Sequence, residues 1–203
     1  MRVLVTGGLG VNGAFVTRRL LEAGHQPVVI DQRDDRSLLG AAAASETELI
    51  LGDVTDPAIL DRGFAGGIDA VIHMAALVGT AEADPVETVR VNVLGTAQLL
   101  DRAHRAGIGR FVYTSSRAVY GAMAGPHAAP LYRPKREVDP CAPVRVYDIT
   151  KFAAEGLGRH HARVHGLGFV ALRFATIFGP GKTLRHGGYG ILSQIIEGGI
   201  RHE

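Results

Sequence analysis

Residues 3–13 read Val3-Leu4-Val5-Thr6-Gly7-Gly8-Leu9-Gly10-Val11-Asn12-Gly13, an apolar run followed by a glycine cluster and the start of a helical pattern. Gly7, Gly10 and Gly13 have the spacing G-x-x-G-x-x-G. A chain that turns sharply from a strand into a helix needs residues that tolerate a positive φ and leave room beside the backbone. The N-terminus of that helix presents free N–H groups and a partial positive charge, which suits a pyrophosphate. The stretch therefore predicts either a plain tight turn or a dinucleotide site.

An acidic residue favours the dinucleotide site over the plain turn. Asp31 ends the next apolar run, Val28-Val29-Ile30, where a carboxylate can accept hydrogen bonds from the ribose hydroxyls of adenosine. Its charge favours NAD over NADP, because a 2′-phosphate would meet a like charge. Arg33 and Arg36 are close in sequence and could partly offset that charge.

The rest of the chain alternates strand patterns with helix patterns. Strands are predicted at 3–5, 28–30, 49–51, 70–72, 111–114 and 169–172, and helices at 11–23, 57–64, 85–106, 147–165 and 190–197. Residues 121–144, rich in Pro and Ala, are predicted to be an irregular excursion. The alternation predicts an α/β fold of the Rossmann type, a doubly wound parallel sheet with helices on both faces. Ligands of such sheets bind beyond the carboxyl ends of the strands.

Composition excludes several classes of protein. The chain has 203 residues, of which 46% are hydrophobic, so a folded domain is expected rather than disorder. The formal net charge of +2 is too small to indicate a nucleic-acid partner or an anionic membrane. Apolar stretches stay well short of membrane-spanning length. Because the first predicted strand begins almost at Met1, we expect no signal peptide. With Cys141 as the single cysteine, we expect a cytoplasmic protein without an internal disulfide.

A tyrosine and a lysine supply candidate acid–base chemistry. Tyr147 and Lys151 are four residues apart and share one face of the predicted helix. An ammonium beside a phenol is expected to lower the pKa of the phenol, which would make Tyr147 a general acid or base for a substrate hydroxyl. Such a pair is also common on solvated helix faces, but Ser116, after an intervening strand, adds a third polar group.

The histidines give weaker signals. His161 and His165 share a helix face, but a third metal ligand is not evident, so we predict no metal site. His73 follows a predicted strand, where we expect a buried histidine hydrogen-bonded to backbone rather than a proton carrier.

Taken together, the motifs resemble the extended branch of the short-chain dehydrogenase/reductase superfamily, namely its NAD-dependent nucleotide-sugar epimerases and dehydratases. The resemblance extends to about Gly181. The motifs that carry it are Thr6–Gly13, Gly52-Asp53-Val54, His73-Met74-Ala75-Ala76, Asn92 within Val91–Thr96, Ser115–Gly121, Tyr147–Lys151 and Leu172–Pro180.

The resemblance implies a role for each matched residue. Tyr147 would be the acid/base, Lys151 its partner and a ribose ligand, and Ser116 the hydroxyl that orients the substrate oxygen. The implied cofactor is NAD. Its expected contacts in the glycine loop and at the end of the second strand are Gly7, Gly10, Val11, Asn12, Gly13 and Asp31. Asp53 and Val54 would flank the adenine, Ala75 and Ala76 would line the nicotinamide side, and Asn92 would brace that loop. Tyr147 and Lys151 complete the set. The substrate-binding candidates are Ser116, Arg117 and Thr176. A homodimer formed through the helices at 85–106 and 147–165 is also implied.

Two departures from the family pattern bear on the reaction. Arg117 and Ala118 stand where dehydratases carry acidic residues, which argues against dehydration. Thr176 stands where family members have an asparagine that contacts the diphosphate of a nucleotide-sugar. The second departure weakens the epimerase interpretation and leaves room for a dehydrogenase that acts on a smaller alcohol. From the resemblance we still expect a UDP-glucose-type 4-epimerase, with an NAD-dependent dehydrogenase of a sugar, sugar acid or other secondary alcohol as the alternative. A non-catalytic NAD-sensing module is less favoured, because a sensor does not need Ser116, Tyr147 and Lys151.

Two regions are expected along the chain. Residues 1–181 would form the NAD-binding domain, which also carries the catalytic residues. Residues 182–203 would begin a small, truncated or reduced substrate lobe, since members of the extended branch usually continue into a substrate domain.

Overall fold

Six parallel strands form a single sheet, as the alternation predicts. The computed structural model describes residues 1–79, 81–181 and 191–201. The strands are β1 (Arg2–Thr6), β2 (Gln26–Asp31), β3 (Glu48–Leu51), β4 (Ala70–His73), β5 (Arg110–Ser116) and β6 (Phe169–Phe174). Their order across the sheet is β3-β2-β1-β4-β5-β6, and all neighbours are parallel. The strand order reverses direction beside β1, which opens a crevice at the carboxyl ends of β1 and β4.

Helices cover both faces of this sheet. The helices of the described residues are α1 (Val11–Glu22), α2 (Ala41–Glu46), α3 (Pro57–Phe64), α4 (Pro85–Val89), α5 (Thr96–Arg105), α6 (Val146–His165) and α7 (Ile191–Arg201). The excursion at 121–144 is irregular as predicted, apart from a 3-10 turn at Gly125–His127. Among the helices of the described ranges, none combines the length and the apolar character that a membrane span requires.

Side-chain alternation along the strands produces two cores. On β1, Leu4 faces the core that contains Leu60 of α3 and Leu99 of α5, whereas Val3 and Val5 face the core beneath α1. Because successive strand residues point to opposite faces, a buried strand must be apolar on both sides. This explains the nearly continuous apolar runs that identified the strands in the sequence.

The long helix predicted at 85–106 is not a single α-helix. α4 and α5 are joined by a π-helical segment, Arg90–Gly95. A π-helical turn accommodates extra residues and rotates the side chains within it. The sequence pattern has no signal for this change, because its apolar spacing is that of an ordinary helix.

The structure describes only part of the carboxyl-terminal region for which the sequence made predictions. The helix predicted at 190–197 corresponds to α7, Ile191–Arg201. Half of the expected substrate lobe, residues 182–190 together with 202 and 203, lies outside the described residues.

Candidate active site

A cleft of about 430 Å³ lies beyond the carboxyl ends of the strands. All but three of the residues predicted for cofactor, catalysis and substrate line it. The lining residues from that set are Gly7, Gly10, Val11, Asn12, Gly13, Asp31, Val54, Ala75, Ala76, Ser116, Tyr147, Lys151 and Thr176. The three that do not line it are Asp53, Asn92 and Arg117.

The glycine turn is packed so tightly that side chains are excluded. Gly7 has φ of +68°, and a Cβ added there would lie 2.8 Å from the backbone nitrogen of Ala75. A Cβ on Gly13 would lie 2.0 Å from the carbonyl oxygen of Gly7. The backbone therefore lines the cleft directly at the start of α1, whose first turn carries no acidic residue. This cradle fits the pyrophosphate of a dinucleotide.

Asp31 holds the glycine turn from the end of β2. Its Oδ2 accepts a hydrogen bond from Leu9 N at 3.0 Å, and its Oδ1 accepts one from Arg33 N at 3.3 Å. Arg33 also lines the cleft. The guanidinium of Arg36 is engaged elsewhere, since it donates to Asp34 at 2.7 Å and to Ala44 O at 2.6 Å.

Asp53 turns its carboxylate away from the cleft. Arg90 donates to Asp53 Oδ2 at 2.7 Å, and Thr55 N and Oγ1 each donate to Oδ1 at 2.8 Å. Burial by itself would raise the pKa of Asp53, but these hydrogen bonds lower it below its ordinary value. The neighbouring Val54 lines the cleft, so Asp53 fixes the turn that presents Val54.

Asn92 lies in the π-helical segment and braces the loop after β4. Its Oδ1 accepts from Leu77 N at 2.8 Å, and its Nδ2 donates to Leu77 O at 3.0 Å and to Thr150 Oγ1 at 3.1 Å. The side chain thus ties the loop that contains Ala75 and Ala76 to α6. This bracing agrees with the expectation from the sequence, although Asn92 itself stays behind the wall of the cleft.

Ser116, Tyr147 and Lys151 meet at one end of the cleft. Ser116 ends β5, while Tyr147 and Lys151 come from the first turns of α6. The Lys151 Nζ donates to Thr114 O at 2.8 Å and lies 5.7 Å from the centroid of the Tyr147 ring. Arg117, in the 3-10 turn that follows β5, is exposed and does not line the cleft.

The expectation that Lys151 lowers the pKa of Tyr147 is wrong. Burial raises the pKa of Tyr147 above its usual value of 10, and hydrogen bonding to Ser116 only partly offsets this rise. Burial also lowers the pKa of Lys151 to about 7, so a large fraction of the Lys151 side chains are uncharged near neutral pH. The spacing of the two residues predicts that they are neighbours, but it carries no information on desolvation.

His73 is buried beneath the cleft between two hydroxyls. Its Nδ1 lies 2.6 Å from Thr6 Oγ1 and its Nε2 lies 2.8 Å from Thr96 Oγ1. The expectation of a buried histidine is confirmed, but its partners are side-chain hydroxyls rather than the backbone. Burial, assisted by the charge of Lys151, lowers the pKa of His73 to about 3, so the ring is neutral at physiological pH.

Part of the lining was not found from the sequence. The lining of the cleft also includes Phe174 at the end of β6, Ala175 and Ile177 after it, and Gln32 after β2. Phe174, Ala175 and Ile177 lie within the motif Leu172–Pro180, but only Thr176 of that motif was assigned a contact. The available signal for Gln32 was its place just after a predicted strand. Within the ranges that the structure describes, no group of three or more His, Cys, Asp or Glu side chains could hold a metal ion.

Comparisons with known proteins agree with this geometry. The model of the NAD dependent epimerase/dehydratase family matches residues 3–199. The chain is 35% identical to the UDP-glucose 4-epimerase of Halalkalibacterium halodurans over 190 residues, which cover 92% of this chain and 54% of that protein. It is 34% identical to the UDP-glucose 4-epimerase of Azospirillum brasilense, over 92% of this chain and 52% of that protein. The chain thus spans about half the length of these relatives.

Solved structures show the same fold. The UDP-glucose 4-epimerase of Thermus thermophilus, crystallised with NAD, superposes with a TM-score of 0.86 and 28% identity over 100% of this chain and 63% of that one. Because the family model covers nearly the whole chain and the motifs surround one cleft, this protein belongs to the NAD-dependent epimerase/dehydratase family.

Proposed function

We propose that this chain forms the cofactor-binding and catalytic part of an NAD-dependent nucleotide-sugar 4-epimerase of the UDP-glucose type. The observation that carries the proposal is that Ser116, Tyr147 and Lys151 line the same cleft as the glycine turn and Asp31. The relatives named UDP-glucose 4-epimerase support the substrate class. Residues 1–181, which hold the sheet and the cleft, would constitute the NAD-binding domain.

The residues of the cleft divide the chemistry among them. Tyr147 removes the proton of the substrate hydroxyl when the carbon is oxidised and returns it when the carbon is reduced. Ser116 orients that oxygen, and Lys151 binds a ribose hydroxyl. NAD, when bound, supplies the acceptor and donor of the hydride. The glycine turn would hold the pyrophosphate, Asp31 the adenosine ribose, Val54 the adenine, and Ala75 and Ala76 the nicotinamide side.

The stretch of lining at residues 174–177 is apolar except for one hydroxyl. Thr176 lies there between Ala175 and Ile177, and we propose that its hydroxyl contacts the diphosphate of the nucleotide-sugar. A threonine offers one hydroxyl where an asparagine amide offers two donors and an acceptor. This weaker contact favours a second candidate, a dehydrogenase of a smaller alcohol that releases NADH.

One experiment separates these functions. The purified protein is denatured, and the nucleotide released per chain is identified by mass and absorbance; the native protein is then incubated with UDP-glucose. Near-stoichiometric NAD and formation of UDP-galactose without net NADH are expected for the epimerase. Net NADH that accumulates with turnover would instead establish the dehydrogenase, and NADP in the released fraction would contradict the role given to Asp31.

We also propose that the protein is a homodimer through α4, the π-helical segment and α6. α4 packs against α6, and apolar side chains on these elements are exposed. They are Val86, Val89, Leu94 and Ile149. Burying such a surface between two copies would remove apolar area from water.

The variant Val86→Arg tests the dimer. A charge at this position is expected to shift the protein to the monomer in sedimentation experiments, because an unpaired guanidinium would be buried. Val138→Arg, in the excursion, is the matched control, since both valines are 81% exposed. A dimer that survives Val86→Arg but dissociates with Val138→Arg would assign the interface to the excursion instead.

A further inference from the structure

A buried carboxylate behind the active site has no role in the chemistry above. Glu155 of α6 is 1% exposed and does not line the cleft. It accepts hydrogen bonds from Ser115 Oγ at 2.6 Å, from Arg159 Nη1 at 2.9 Å, and from Arg173 Nε at 2.9 Å and Nη2 at 2.8 Å. The two bonds from Arg173 form a bidentate pair, which is geometrically specific.

The partners of Glu155 belong to the segments that build the catalytic end of the cleft. Ser115 directly precedes Ser116 at the end of β5. Arg173 directly precedes Phe174, the last residue of β6, and the lining residues that follow this strand. Glu155 itself follows Lys151 by four residues, so the two lie on the same face of α6. The Glu155 carboxylate therefore connects the end of β5, which carries Ser116, with α6, which carries Lys151, and with the end of β6.

Arg173 extends this connection to the excursion at 121–144. Its Nη1 donates to Tyr120 Oη at 2.8 Å and to Glu137 O at 3.2 Å. Tyr120 Oη in turn donates to Arg136 O at 3.0 Å. The ends of the excursion are also held together, because Ala142 N donates to Val119 O at 3.1 Å.

Hydrogen bonds stabilise the charged carboxylate of Glu155, and the shape of an arginine suits the contacts that Arg173 makes. Burial alone would raise the pKa of Glu155, but the donors from Arg173, Ser115 and Arg159 lower it below its ordinary value. A planar guanidinium can bind the carboxylate on one edge and Tyr120 with Glu137 O on another, whereas a lysine ammonium is a point charge.

We propose that Glu155, acting through Ser115 and Arg173, is a positioning residue that holds Ser116, α6 and the excursion in one arrangement around the substrate. This inference rests on the proposed function for its catalytic consequence. Its structural consequence, a seated excursion, is independent of that function. In this arrangement a loss of the Glu155–Arg173 pair displaces the reacting groups without removing any of them.

The test compares Glu155→Gln, Arg173→Lys and Tyr120→Phe with the control Arg159→Gln. Arg159 binds the same carboxylate, but its side chain is 52% exposed and makes this bond within α6 rather than toward the excursion. For each variant, kcat, KM, retained NAD per chain and the rate of limited proteolysis within 121–144 are measured. Tyr120→Phe keeps the ring and removes one hydroxyl, so it provides a variant that folds if the others do not.

The expected results separate positioning from mere stability. Glu155→Gln lowers kcat on the order of 10- to 100-fold, since small misplacements of reacting groups have effects of that size, while KM and retained NAD change little. Arg173→Lys gives a smaller loss of kcat, because its charge still pairs with Glu155. Both Arg173→Lys and Tyr120→Phe accelerate proteolysis within 121–144. The control Arg159→Gln leaves kcat and the proteolysis rate near those of the wild type.

Other results would overturn the proposal. If Glu155→Gln and Arg173→Lys lower the melting temperature but leave kcat per folded chain unchanged, the cluster is only a structural ion pair. If proteolysis within 121–144 is unchanged in all variants, the excursion is seated by other contacts. A wild type that retains NAD but does not epimerise UDP-glucose refutes the proposed function alone, because the proteolysis arm still decides whether the cluster seats the excursion.

Discussion

At the scale of single residues, spacing predicts which side chains meet but not how the protein alters their chemistry. Tyr147 and Lys151 are brought together as their i, i+4 spacing requires, and Ser116 joins them from β5. The pKa of Lys151 is lowered to about 7 by burial, a consequence of the packing of α6 against β5. A sequence pattern predicts which side chains share a helix face, but it does not predict how deeply each side chain is buried.

The variant Tyr147→Phe tests the acid–base role. Turnover is expected to fall roughly 10²- to 10⁴-fold, the usual contribution of a positioned general acid or base. Retained NAD per chain should not change, because the ring and its packing remain. Tyr132→Phe is the control, since Tyr132 lies in the excursion and is 70% exposed. Undiminished activity in Tyr147→Phe would show that the proton is moved by another group.

At the scale of elements, type and order were predictable and local geometry was not. Helix α3 begins and ends at the predicted residues, because Asp56 caps it and accepts from Ala58 N at 2.9 Å, while Pro57 occupies the first turn. The helix predicted at 85–106 was interrupted instead by a π-helical segment. Asn92 contacts Leu77 and Thr150 from that segment, and these distant partners cannot be read from a local pattern.

The variant Asn92→Ala tests the value of this bracing. It leaves the N–H and C=O groups of Leu77 without their partner, which is expected to lower the free energy of unfolding by about 1–3 kcal/mol. The quantity is measured by urea unfolding. Gln98→Ala, in α5, is the comparison, since the buried Oε1 of Gln98 has no hydrogen-bond partner among the described residues. An equal loss in both variants would assign the effect to helix packing rather than to the brace.

At the scale of the whole molecule, the alternation of strand and helix patterns predicted the parallel sheet. The parallel direction of the strands in turn predicted that the motifs would collect at their carboxyl ends. The cleft collects residues from β1 to β6 because all strands end on the same side. The buried cluster around Glu155 was not predicted, because its members are separated in sequence. Ser115 and Arg173 lie within motifs, but neither was itself assigned a role. The expectation that Arg117 faces the substrate also came from position in a motif rather than from direction of the side chain.

Acid sensitivity of the whole fold is expected from His73. Its ordinary pKa is 6.5 and its pKa in the folded protein is about 3, so the unfolded chain binds a proton first as the pH falls. Folding stability should therefore decrease as the pH is lowered from 6.5 toward 3, with a slope of up to about 1.4 kcal/mol per pH unit from this group. The pKa of His161 is also lowered, chiefly by burial, and adds in the same direction.

The measurement is urea unfolding of the wild type and of His73→Gln between pH 6.5 and 5. Glu155, Asp53 and Asp139, whose pKa values are lowered, lose their stabilising effect mainly at lower pH, outside this window. The slope should be smaller in His73→Gln, whereas His25→Gln, in the turn before β2, serves as the control. Identical slopes in the wild type and His73→Gln would contradict the assignment.

The excursion is held by its main chain, and this has an evolutionary consequence. Tyr120 and Arg173 bind the carbonyl oxygens of Arg136 and Glu137 rather than their side chains, and every amino acid carries such a carbonyl. The anchoring residues can therefore stay fixed while the sequence at 121–144 drifts or is exchanged for that of a homologue. The fold can thus keep the residues that line the cleft constant while this loop changes in sequence.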